Sequence, residues 1–308
     1  MGTVYKEVPD NWRELEPYVS REGFIQDIFR KKKCFFYDAC SFRYHANMDG
    51  ESIDRILAYI KEKDGIIVIT RCILMELASS SGILNQEYIQ YFRKISQSGL
   101  SLYVIYEEDL FQVMEICFST HAAINNFLVW SVRMMRGPVS TITKTLNEDG
   151  ALSNMVIKGR NLDNREVYRR FFSSVRANKE SGDNLGEELL GICLHILSQL
   201  PGEEDGKFCV ITDDKNAAGK IDGLFKKTNR QFRGKKIILF STPKLAQILY
   251  GEGYVTDRDL LIEILKFGGS GNIKVLGTRI YDLRSSVISL SREEMADQMI
   301  SKGIHIIF

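Results

Sequence analysis

Asp38 follows directly on the apolar run Cys34–Tyr37, and Asp213 and Asp214 follow on Phe208–Thr212. Glu76 lies six residues beyond Thr70, where another apolar run ends. Glu187 and Glu188 open a helical pattern, with Asp183 just ahead of it. If the runs are parallel strands of one sheet, four separate segments bring carboxylates to its C-terminal edge, where ligands of open α/β sheets bind. Carboxylates gathered there repel one another and take up protons unless positive charge sits among them. A hard divalent cation such as Mg²⁺ or Mn²⁺ meets that need, because it prefers oxygen ligands. Held by carboxylates, such an ion polarises a phosphodiester and lowers the pKa of an attacking water. Taken singly, an Asp after a strand is more commonly a helix cap, and a Glu in a first turn a partner of the helix dipole. The ordered conjunction of four sites carries the functional reading.

The elements that would position these acids are legible as alternating patterns. Cys34–Tyr37, Gly65–Thr70, Leu102–Tyr106, Phe208–Thr212 and Lys236–Ser241 are nearly continuous apolar runs, as expected of strands covered on both faces. Between them, Ser52–Lys63, Asn85–Gln97 and Gly186–Leu200 place apolar residues at helical spacing, and Pro201-Gly202 stops the last. Strand-helix-strand repetition predicts an α/β fold with a mainly parallel central sheet flanked by helices. A mainly helical insertion is expected over 107–182, with a loop in the Thr-, Ser- and Gly-rich stretch Gly137–Gly159. A C-terminal α/β extension is expected over 251–308: a helix at Thr256–Phe267, a strand at Asn272–Leu276, a helix from Ser291 and a strand at Ile304–Phe308.

Lys and Arg number 41 against 40 Asp and Glu, a net charge of +1. That balance excludes a wholesale polyanion binder and leaves only local basic patches. The clearest is Arg165–Lys179, which presents Arg169, Arg170 and Arg176 with Tyr168, Phe171 and Phe172 between them. Arg with aromatic rings suits the backbone and bases of a single strand. The other reading of such a helix is a solvated face above core aromatics. Arg30–Lys33 and Lys226–Lys236 are further basic runs. His195, two turns beyond Glu187, reads as a packing residue. The six scattered cysteines form no CxxC or zinc spacing, and the start MGTVYKEVPDNWRELEPY lacks the apolar stretch of a secretory signal. A reduced, cytoplasmic protein without a membrane segment is expected.

Four motifs in order resemble those of PIN-domain nucleases: Tyr37-Asp-Ala-Cys-Ser41, Cys72-Ile-Leu-Met-Glu-Leu77, Leu185-Gly-Glu-Glu-Leu-Leu190 and Val210-Ile-Thr-Asp-Asp-Lys-Asn-Ala217. The resemblance spans residues 31–106 and 183–250, a nuclease core interrupted by 107–182, preceded by 1–30 and followed by 251–308. It implies a Mg²⁺- or Mn²⁺-dependent endoribonuclease that hydrolyses single-stranded RNA. Asp38, Glu76, Glu187 and Asp213 would hold the ions, with Asp214 beside them in the catalytic group. Ser41 and Thr212 would assist through their hydroxyls, and Arg169, Arg170 and Arg176 would bind substrate. Asp183 and Glu188 are alternatives to Glu187 as the third acid; Glu187 matches best, because Leu190 and Cys193 follow it on the buried side. A toxin or defence effector, held by a protein inhibitor or assembly partner or as an oligomer, is one setting for such an enzyme. The alternative is a PIN-like scaffold with a weak metal site that binds RNA or a protein. A haloacid-dehalogenase phosphatase is disfavoured, since the second Asp it needs is replaced here by Cys40.

Overall fold

Five apolar runs form one sheet in the computed structural model: β1 (Lys33–Tyr37), β2 (Gly65–Thr70), β3 (Leu102–Ile105), β4 (Phe208–Ile211) and β5 (Ile238–Phe240). Their order is β3-β2-β1-β4-β5, and every pairing is parallel. The described residues are 6–135, 140–158, 163–180, 182–227, 230–268 and 271–308. Side chains alternate between two cores, as the period of a strand requires. Phe35, Tyr37, Ile67, Ile69 and Ile211 face one core, and Cys34, Phe36, Ile66, Val68 and Val210 face the other. Burial on both faces explains why the strands read as continuous apolar runs rather than alternating ones.

Helices cover both faces. Ala39–Ala46, Gly50–Glu62, Gln86–Gln97 and Thr242–Gly251 supply the first core, whereas the second is packed by His121–Met135, Asn164–Ala177, Leu185–Leu197 and Lys215–Lys226, among others. The stretch expected as a loop is helical instead: Thr141–Glu148 and Gly150–Lys158 flank Asp149. Ser140 caps the first of these by accepting from the Thr143 N–H, so its hydroxyl residues begin a helix rather than a loop. Residues 137–139 and Gly159 of that stretch lie outside the described residues.

The C-terminal part adds a second sheet, antiparallel, ordered β7-β6-β8 from β6 (Ile273–Arg279), β7 (Asp282–Leu290) and β8 (Ile304–Ile306). Strand β7 has no counterpart in the sequence reading. It is an edge strand with one face in solvent, and Arg284-Ser-Ser286 gives it no apolar run. No helix among the described residues is long and apolar enough to cross a membrane.

Candidate functional site

The strand order reverses direction between β1 and β4, which makes their C-terminal ends the switch point of the sheet. Asp38 stands at the end of β1 and caps the helix Ala39–Ala46. Its Oδ1 accepts from the Ala39 N–H at 2.8 Å, and its Oδ2 from Cys40 Sγ at 2.8 Å and Thr212 Oγ1 at 2.9 Å. Across the gap, Asp214 caps the helix Lys215–Lys226 through Oδ1, which accepts from the N–H groups of Asn216 and Ala217. Both acids are therefore caps, and both also face a cavity of about 720 Å³ at this edge. Glu76, from the helix Arg71–Ala78, and Glu187, from the helix Leu185–Leu197, line the same cavity, as do Asp183, Cys40, Arg43 and Lys179.

The adjacent acids at the end of β4 behave differently. Asp213 does not line the cavity. Its Oδ2 accepts from Ser41 Oγ and from Thr242 Oγ1, both at 2.6 Å, and its Oδ1 from the Thr242 N–H at 2.6 Å. Burial raises its pKa above the usual carboxylate value, with these hydrogen bonds opposing. With Asp213 ionised, the chain of bonds behind it has one direction. Thr242 Oγ1 donates to Asp213 and so accepts from His45 Nε2–H at 3.1 Å, leaving Nδ1 to accept from Tyr37 Oη at 2.8 Å. His45 is fully buried and its pKa is pushed down to about 3 by that burial, which suits the neutral tautomer. Asp213 thus ties three segments together, and of the two adjacent acids it is Asp214 that faces the cavity.

Ser41 and Thr212 are fully buried and stand behind the carboxylates, donating to Asp213 and Asp38 respectively. They orient acids instead of reaching the cavity. Glu188 also points away from it. The roughly 100° step between successive helical residues separates it from Glu187, and its Oε2 accepts from the Ile142 N–H. Burial raises the Glu188 pKa to about 7. Asp183 does line the cavity, with its oxygens engaged by Lys179, Thr141 and the N–H groups of Glu180 and Leu185.

Positive charge is already present among the acids. Lys179 Nζ donates to Glu76 Oε1 and Asp183 Oδ1, both at 2.7 Å, and Lys220 Nζ to Glu187 Oε2 at 2.8 Å. Burial acts against the Lys179 charge, but Cys72, Glu76 and Asp183 outweigh it and raise its pKa. For Glu76 and Glu187, burial raises the pKa and the lysines oppose it. Gly186 matters here for its missing side chain. A Cβ at that position would come within 2.7 Å of the Glu76 carboxyl carbon, and its N–H donates to Glu76 Oε1. These lysines were not singled out by sequence, although Lys179 ends the basic run that leads into the third acidic motif.

The rest of that run divides in two. Arg169 and Arg170 are exposed, and Arg169 is paired with Glu166. Arg176 is fully buried and bonded to Glu107 and Glu108 at 2.8 and 2.7 Å, so its charge is spent in the core. Tyr168, Phe171 and Phe172 are fully buried too, which removes the stacking rings expected of this helix. His195 packs in the core, its ring stacked on Phe127 at 4.5 Å.

The donor set suits a hard divalent ion, since the cavity acids offer only oxygens. Among the described residues no three His, Cys, Asp or Glu side chains are grouped closely enough to enclose one. The ammonium groups of Lys179 and Lys220 occupy carboxylate oxygens that such an ion would draw together. Comparison of the chain with family models, curated proteins and solved structures gave no match.

Proposed function

We propose that the chain is a PIN-like, Mg²⁺- or Mn²⁺-dependent nuclease acting on single-stranded RNA. The observation that carries this reading is the convergence of Asp38, Glu76, Glu187 and Asp214, from four separate segments, on one cavity at the sheet's switch point. Asp38, Glu76, Glu187 and Asp214 would hold the ion. Once bound, a divalent ion supplies Lewis acidity to the phosphodiester and activates water near neutral pH. The chain's own residues do the rest. Thr212 and the Ala39 N–H fix the Asp38 carboxylate, the Asn216 and Ala217 N–H groups fix Asp214, and Arg43, in the cavity wall, offers positive charge to a phosphate.

A second reading is a PIN-like scaffold that binds RNA or a protein without cutting. It draws on the lysines already bonded to Glu76 and Glu187. Incubation with labelled single-stranded RNA and MnCl₂, with and without EDTA, separates the two. Cleavage that EDTA abolishes is the expected result; binding without EDTA-sensitive cleavage would favour the scaffold.

A further inference from the structure

Part of the positive charge that the cavity needs is covalently attached to the chain. Lys179 lies just beyond the helix Asn164–Ala177 and bonds Glu76 and Asp183 at 2.7 Å each. The three side chains are only 12, 18 and 11% exposed, so solvent screens the contact little. Asp183 is a fixed post, since Thr141 and two backbone N–H groups also hold it. Glu76 has one oxygen committed to Lys179 and the Gly186 N–H, whereas its Oε2 makes no hydrogen bond among the described residues.

An ammonium brings one charge and three donors, whereas a divalent cation brings two charges and draws in about six oxygens. The two repel at contact distance inside a partly enclosed site. Binding of a divalent ion at Glu76 therefore requires the Lys179–Glu76 bond to open, while Asp183 keeps the lysine tethered nearby. From this geometry we infer that Lys179 is a built-in competitor of the divalent ion, holding Glu76 while the ion is absent and releasing it when the ion binds. This rests on the divalent-ion site proposed above and adds to it a means of setting ion affinity. By reciprocity, whatever loosens Lys179 must tighten ion binding by the same factor.

Calorimetric titration of the full chain with MnCl₂ tests the inference. Lys179→Met, which keeps most of the side-chain stem, is expected to lower the Mn²⁺ Kd by about tenfold; an unchanged or higher Kd, or no Mn²⁺ binding by either protein, overturns it. The wild-type chain gives a second measurement that does not depend on the variant folding. Acetylation of Lys179 by acetic anhydride, read by mass spectrometry, is expected to rise about threefold in saturating MnCl₂ as the ammonium is released; no rise overturns the inference. Wild-type RNA cleavage with an unchanged Kd in Lys179→Met would defeat this inference alone. Tighter Mn²⁺ binding by the variant without cleavage by the wild type would defeat the nuclease reading alone.

Discussion

Two groups of charges lie close together in this molecule and are built on opposite plans. In the core, Arg71 and Arg176 face Glu107 and Glu108, with the half-exposed Glu7 reaching both arginines and Arg71 also lying over the Tyr106 ring at 3.6 Å. Glu107 accepts from the Cys72 N–H at 2.9 Å and so also caps the helix that carries Glu76. At the sheet edge, six carboxylates (Asp38, Glu76, Glu180, Asp183, Glu187 and Asp214) line a cavity whose wall also carries Lys6, Arg43 and Lys179, and Lys144, Lys179 and Lys220 bond to four of the acids. The first group has both of its arginines bonded, is largely buried and holds the scaffold, whereas the second opens on a cavity whose lining acids outnumber its lining cations. The difference teaches that acids near each other mean little until their counter-charges are counted.

The comparison can be broken in several places. Arg176→Met leaves Glu107 buried without its main cation, and urea unfolding should show a loss of about 3–5 kcal/mol, as for a buried pair with one partner removed. Asp38→Asn with Asp214→Asn should act in the opposite sense on the open group. RNA cleavage with Mn²⁺ should fall by about 100-fold or more, or about 2.7 kcal/mol in activation free energy, with less effect on stability than the core variant. Cleavage at the wild-type rate would remove both acids from the site.

A pH titration sharpens the contrast between core and edge. His195 is buried, and its pKa is pushed down from 6.5 to about 4 mainly by that burial. Between those values the unfolded chain binds a proton that the folded chain refuses, so this contribution to stability is lost as pH falls from 6.5 towards 4. His195→Asn should show a shallower loss over that window, by about 1–3 kcal/mol in urea unfolding; an unchanged slope would contradict the burial argument. The smallest effect is expected for Gly186→Ala. Its methyl group would push Glu76 aside, and cleavage should fall by about tenfold, or about 1.4 kcal/mol, at nearly constant Tm.

Sequence alone was enough to find the central sheet because strands buried on both faces carry an unbroken apolar signal, as in Gly65–Thr70. It failed for β7, whose exposed face carries Ser285, Val287 and Ser289 and whose other face, with Arg284 and Ser286 beside the buried Ile288, leaves no run to detect. It placed Asp38, Glu76 and Glu187 near strand ends and helix starts, and the cavity collects all three. It could not tell Asp213 from Asp214, because neighbours at the end of a strand point in opposite directions and only the Ser41 and Thr242 partners decide which one is engaged. Arg176 was legible in hindsight. It lies four residues after Phe172 and eight after Tyr168, on the buried stripe of its helix, and an Arg on such a stripe needs a carboxylate waiting for it.

Anomalous scattering from crystals soaked in MnCl₂ would test the divalent-ion site most directly. A Mn²⁺ peak in the cavity among Asp38, Glu76, Glu187 and Asp214 is expected. A cavity without Mn²⁺ at saturating concentration, with Lys179 and Lys220 still bonded to Glu76 and Glu187, would contradict it.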